Sequence, residues 1–237
     1  MIKGILLDYG GTIDTNGLHW ANVLWDSYQR HQVSIDRESF AKAYTFGERA
    51  LALNPIIQPQ HVFYDVLFLK VGQQFHFLKE QGFEVNDAAI EAIARDCNHF
   101  AHTTVKNATP ALANLAQQYP IVMVSNFYGN IQNVLRDFGI LDYFQAVVES
   151  AVVGVRKPDP QIYQLGINLL GYLPAECAVV GDSYSKDISP AKQLGCKAVW
   201  LNVSGWEEGT AQKQREWEAD VEITDFTRIN EVIAGLG

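Results

Sequence analysis

Ile5-Leu6-Leu7-Asp8-Tyr9-Gly10-Gly11-Thr12 sets the pattern for the whole chain: an apolar run stops abruptly at an aspartate and a Gly-Gly-Thr turn. It reads as a short buried strand with Asp8 at its C-terminal end. The form recurs. Residues 121–124 end at Ser125-Asn126, and residues 178–180 end at Gly181-Asp182. Residues 146–148, 198–201 and 221–223 are further short apolar runs. Segments 129–138, 160–170, 188–194 and 226–234 are predicted helices. Continuous apolar strands alternating with helices predict a parallel sheet covered on both faces.

Between residues 18 and 102 the character changes. Glycine is sparse and aromatics recur at helical spacing, with no strand signal. Helices are predicted over 19–32, 36–53, 60–81 and 86–102, punctuated by Pro55, Pro59 and Gly82. In the third, Val62, Val66, Leu69, Phe75 and Leu78 fall near one face. The aromatics Phe63, Tyr64, Phe68, Phe75 and Phe77 read as core. Thr109-Pro110 marks the return to alternation. The expectation is an α/β fold: a doubly wound parallel sheet from residues 1–17 and 103–237, with an all-helical domain inserted at 18–102.

Composition narrows the function. Of 237 residues 48% are hydrophobic and 19% charged, which excludes a disordered chain. Eighteen Lys and Arg against 27 Asp and Glu give −9, which argues against general nucleic-acid binding. Cys97, Cys177 and Cys196 are too scattered for a disulfide framework and read as buried thiols. No apolar run approaches the roughly 20 residues that span a bilayer, and the N-terminus turns acidic too soon for a secretory signal. The expectation is a cytoplasmic protein with no membrane partner, monomeric or homodimeric. The histidines show no ligand spacing; His99 and His102 read as surface residues. Residues 205–217, with Trp206 and Trp217, read as a loop or short helix.

Ligands of such sheets bind beyond the carboxyl ends of the strands. There the sequence places Asp8, Thr12, Ser125, Asn126, Asp182, Ser183 and Asp187, with Lys157 in the loop before Pro158. Carboxylates at 8, 182 and 187 could hold a hard cation; Mg²⁺ takes one or two carboxylates plus water and a phosphate oxygen. Lys157 could neutralise a phosphoryl oxygen. The hydroxyls of Thr12 and Ser125 and the N–H groups around Gly11 can donate to phosphate. A carboxylate nucleophile can form an aspartyl-phosphate. Taken singly, Asp8 is a strand-end turn residue and Asp14 a turn or cap residue. Asn126 equally reads as a helix N-cap, and Ser183 or Asp187 could cap the helix at Ile188.

These residues resemble the four motifs of the haloacid dehalogenase-like hydrolases. The first, Asp-x-Asp-Gly-Thr, stands here as Asp8-Tyr9-Gly10-Gly11-Thr12. The second is Ser125 ending an apolar strand. The third is Lys157-Pro158, and the fourth is Gly181-Asp182-Ser183-Tyr184-Ser185-Lys186-Asp187. The helical segment resembles the family's cap. The resemblance implies Asp8 as nucleophile and Mg²⁺ ligand, the residue 10 carbonyl and Asp182 as further ligands, and Asp187 near the metal. It implies Gly11, Thr12, Ser125, Asn126 and Lys157 around the phosphoryl group, and a small phosphorylated metabolite as substrate.

One position departs from the pattern. Gly10 stands where the family's phosphatases carry a general acid–base aspartate. Such help is worth ~10²–10⁴-fold. A slower phosphohydrolase, one with a replacement acid at Asp14 or His19, an attenuated phosphate-binding protein, and a phosphonate hydrolase using Lys42, Lys70 or Lys79 all fit the sequence. Retained Asp182 argues against a dehalogenase, which needs no metal.

Overall fold

The computed structural model describes residues 1–203 and 216–236; Trp206 and its neighbours lie outside them. The elements run β1 (Gly4–Leu7), α1 (Trp20–Arg30), α2 (Arg37–Leu53), α3 (Phe63–Glu80), α4 (Ala88–Gln118), β2 (Ile121–Ser125), α5 (Ile131–Asp137), β3 (Ala146–Glu149) and α6 (Ser150–Val153). There follow α7 (Gln161–Leu170), β4 (Cys177–Gly181), a π-helical turn (Tyr184–Ile188), α8 (Ser189–Leu194), β5 (Lys197–Leu201), β6 (Val221–Ile223) and α9 (Ile229–Gly235). Among the described residues the strands form one sheet in the order β3-β2-β1-β4-β5-β6, with every pairing parallel.

Side-chain alternation divides the sheet between two apolar layers. Ile5, Leu7, Met123 and Val180 face α1–α5 and α9, while Leu6, Val122, Val124 and Val179 face α7 and α8. The first layer runs without a break into the helices between β1 and β2: Leu24, Phe40, Phe75 and Leu112 belong to the same buried cluster as Leu7. Tyr9 joins the two regions. Its ring meets Phe63 edge-on at 6.1 Å and Phe127 at 5.8 Å.

Helix α4 departs from expectation. The helix predicted over 86–102 continues to Gln118 straight through Pro110, crossing the boundary expected at 102/103. An interior proline removes one N–H bond and strains the preceding turn. Both Pro110 and Lys106, the residue one turn earlier, are exposed, so water can satisfy the orphaned carbonyl. The opposite face holds the helix together: Ala101, Val105, Ala108, Leu112 and Leu115 form an unbroken buried stripe. Packing overrides the local breaker signal.

The order also fixes where a ligand can lie. From β1 the chain winds outward through β2 to β3, then crosses back to place β4 on the other side of β1. Loops leaving β1 and β4 diverge and open a crevice between them.

Helix α7 approaches the sheet closely because Gly166 has no side chain; a Cβ there would press on Leu6 and Val124. Gly166→Val is expected to destabilise the fold by about 1–3 kcal/mol through overpacking, read as a lowered urea midpoint. An unchanged midpoint would contradict this packing.

Candidate active site

Asp8 leaves β1 at the reversal point, and three other segments deliver side chains to it. Asp8 Oδ1 accepts from Lys157 Nζ at 2.6 Å. The same ammonium donates to Asp187 Oδ1 at 2.7 Å. Asp187 also accepts from the Tyr163 hydroxyl at 2.7 Å and, through Oδ2, from the Ser183 N–H at 3.0 Å. The Thr12 hydroxyl lies 3.1 Å from Asp8 Oδ2 and 3.3 Å from Asp182 Oδ1, and its single proton serves one at a time. The Trp200 indole donates to the Asp182 carbonyl at 2.8 Å, steadying the turn after β4.

Backbone glycines let these groups meet. Gly11 adopts φ +91°, and a Cβ there would collide with the Asp182 carboxylate. A Cβ at Gly181 would collide with Asp187. Gly10 is different: a Cβ there meets nothing within 4 Å. Asp14 braces this turn, accepting from the Gly11 N–H at 2.7 Å and the Trp20 indole at 2.9 Å.

A cavity of about 1190 Å³ opens above the sheet edge. Asp8, Gly10, Gly11, Ser125, Asn126, Lys157, Asp182 and Asp187 all line it, so residues from separate loops share one chamber. Thr12 is not on its wall; it is fully buried behind Asp8. Asn126 caps no helix. Its Oδ1 accepts from the Lys157 N–H at 2.9 Å and its Nδ2 donates to the Lys157 carbonyl at 3.0 Å, so it holds the lysine loop. Ser183 does cap the following turn, accepting from the Lys186 N–H at 3.3 Å.

Several participants carried no distinctive local signal. Tyr163 and Trp200 read as apolar helix and strand positions; only the need of a buried hydroxyl or indole for a partner marks them. Lys70 sits four residues after Val66, on the apolar face of α3, and lines the cavity with Phe63 and Val66. Its ammonium donates to Glu48 Oε1 at 2.6 Å. Lys42 and Lys79 are surface residues paired with Glu38 and Asp87. His19 caps α1 and lines the cavity.

The electrostatics are unbalanced. Carboxylate oxygens of Asp8, Asp182 and Asp187 lie within 4.8 Å of one another, and among the described residues no histidine or cysteine joins them. Among the described residues Lys157 alone opposes them at contact distance, and its side chain is only 2% exposed. Burial would lower the lysine pKa, but Asp187 and Asp8 raise it. Burial pushes Asp8 up, and Asp187 adds to this against Lys157. Asp182 is pushed well up by burial and by the Asp8 and Asp187 charges. Burial likewise takes Asp14 up to about 7. The Gly10 carbonyl accepts no hydrogen bond among the described residues. Oxygen donors with surplus negative charge suit a hard divalent cation such as Mg²⁺.

Comparison with known proteins agrees with this geometry. Residues 2–195 match the model of the haloacid dehalogenase-like hydrolases. A phosphoserine phosphatase of Thermus thermophilus is 31% identical over 91 residues, 38% of this chain and 34% of the relative. The match thus spans about a third of that protein's length. Two solved structures share the fold. One is the HAD-hydrolase YfnB of Bacillus subtilis bound to magnesium, with a TM-score of 0.59 and 17% identity, covering 98% of each chain. The other is an L-2-haloacid dehalogenase of Xanthobacter autotrophicus, with a TM-score of 0.63 and 19% identity, covering 100% of each.

Raised carboxyl pKa values set a sign for stability. Asp8, Asp14 and Asp182 hold a proton more tightly in the folded chain than in the unfolded chain, where carboxyl pKa values are about 4. Their contribution to metal-free stability falls as pH rises from that value through the folded ones, about 7 for Asp14. With EDTA, the melting temperature is expected to be lower at about pH 8 than at about pH 5.5, and Mg²⁺ should raise it more at the higher pH. Equal metal effects at both pH values would contradict this.

Proposed function

The chain belongs to the haloacid dehalogenase-like hydrolases, and from that premise we propose that it is a Mg²⁺-dependent phosphohydrolase of small phosphorylated metabolites, working through an aspartyl-phosphate on Asp8. The observation that carries the reading is the buried Asp8–Lys157–Asp187 bridge beside Asp182 in one crevice. Asp8, the Gly10 carbonyl and Asp182 would hold the Mg²⁺, which neutralises charge on the phosphoryl oxygens.

The chain's own groups account for the rest. An Asp8 carboxylate oxygen attacks phosphorus, the ester P–O bond breaks, and its electrons leave with the substrate oxygen. Lys157, fixed by Asp187 and by Asn126, points its ammonium where phosphoryl charge accumulates. Ser125 and Gly11 line the same chamber, while the Gly11 N–H is itself taken up by Asp14. Water then attacks phosphorus, the P–O bond to Asp8 breaks, and phosphate departs. Helices α1–α4 serve as the cap that selects the leaving group.

Gly10 leaves the departing oxygen without a proton donor from that position. Both oxygens of Asp14 accept N–H groups, so it braces the turn. The enzyme therefore favours acyl or aryl phosphates, whose leaving groups depart unprotonated. A phosphonate hydrolase needs a neutral lysine amine in the cavity. Lys70 is the candidate by position. Burial would lower its pKa, but Glu48 raises it, so it stays a cation. An attenuated binding protein would share the whole geometry and differ only in turnover.

Aryl phosphate is expected to be hydrolysed with Mg²⁺ and not with EDTA, and Asp8→Asn should abolish turnover. Gly10→Asp, which has room for its side chain, should accelerate alkyl phosphate hydrolysis by about 10²-fold and aryl phosphate hydrolysis far less. No wild-type turnover, with rescue by Gly10→Asp, would instead establish the attenuated form.

A further inference from the structure

We propose that the leaving group of the substrate carries a second anionic oxyacid group, a carboxylate or a further phosphate, bound by Arg49, Arg156 and Lys186 on the cavity wall. This deepens the phosphohydrolase reading and rests on it.

The cavity has two ends of opposite character. At the sheet edge lie the carboxylates of Asp8, Asp182 and Asp187. On the helical side, α2 contributes Glu48, α3 contributes Lys70, and the loop after β2 contributes Tyr128. These three satisfy one another. Lys70, 8% exposed, donates to Glu48 Oε1 at 2.6 Å. The Tyr128 hydroxyl donates to Glu48 Oε2 at 2.8 Å, and the Lys70 ammonium lies 5.5 Å from the Tyr128 ring centre. The trio is neutral, and both carboxylate oxygens of Glu48 are engaged.

Around it stand Arg49 on α2, Arg156 just before Lys157, and Lys186 in the π-helical turn just before Asp187. All three line the cavity and are exposed. None is ion-paired with a carboxylate among the described residues. By contrast Lys42, Lys79, Arg95 and Lys192 each pair with a carboxylate. Arg156 and Lys186 share the cavity with the trio. Burial would raise the Glu48 carboxyl, but Lys70 holds it down and the Lys186 charge adds to this. Burial raises the Tyr128 hydroxyl, and Arg156 opposes it.

With Glu48 neutralised by Lys70, the cavity lining holds three positive charges that have no carboxylate partner among the described residues. Like charges gathered in one chamber repel, and an anion between them turns that repulsion into binding. A cationic leaving group would meet repulsion here. A neutral one would leave the three cations unused. Asp8, Arg156 and Lys186 line one cavity, so a molecule with its phosphate at Asp8 can extend toward them with its other end.

The test uses non-hydrolysable ligands with the full chain and Mg²⁺. Calorimetry compares n-alkylphosphonates with ω-carboxyalkylphosphonates and alkane bisphosphonates of matched chain length. At one or more lengths the second anion is expected to tighten binding by about tenfold, and added salt should reduce the gain. The larger gain, from carboxylate or phosphonate, identifies which anion fits. In Arg156→Gln/Lys186→Gln, checked for folding by its melting curve, the affinity ratio should fall to near one. Equal affinities at every length, or a gain retained in the double variant, would overturn the proposal while leaving the phosphohydrolase reading intact. If none of these phosphonates binds the wild type, both readings fall together.

Discussion

A lysine ammonium sealed from water between two carboxylates is the contact on which the site depends. Lys157 bridges Asp8, from the end of β1, and Asp187, from the turn after β4. Its own loop is fastened by Asn126, from the end of β2. Removing any one partner would strand a buried charge, an error that costs several kcal/mol where a surface pair would hardly register. The surrounding carboxylates overbalance the single lysine. The same geometry that orders the loops thus leaves a deficit of positive charge beside Asp8, which a divalent cation would relieve.

The fold's topology makes that meeting possible. Parallel strands bring their carboxyl ends to one edge, and the order reversal between β1 and β4 parts the loops at Asp8 and Asp182. This much was legible in the sequence. Buried parallel strands have no polar face, so they read as unbroken apolar runs, and an aspartate or serine ending one stands out. Asp8, Ser125 and Asp182 were found by that signal, and Lys157 and Asp187 by motif.

What stayed hidden was hidden for physical reasons. Proline is a strong local breaker, yet α4 runs through Pro110 because its buried stripe continues and the proline faces water. Lys70 looks like a surface residue, and only the pairing with Glu48, 22 positions away, makes its burial tolerable. Asn126 reads locally as a helix cap, but its hydrogen-bond partner is the backbone of Lys157, 31 residues on. Partnerships across such distances leave no local periodicity. The helical segment shows the same limit: its helices are plain from spacing, while its shared apolar layer with the sheet emerges only from packing.

The most direct test of covalent catalysis at Asp8 is chemical trapping. The wild-type protein would be mixed with aryl phosphate and Mg²⁺, quenched in acid, reduced with borohydride and mapped by peptide mass spectrometry. Without an acid–base side chain at position 10, the intermediate should drain slowly and accumulate, so position 8 is expected to appear as homoserine. Sustained turnover with Asp8 unmodified, or with the phosphoryl group on another residue, would contradict it.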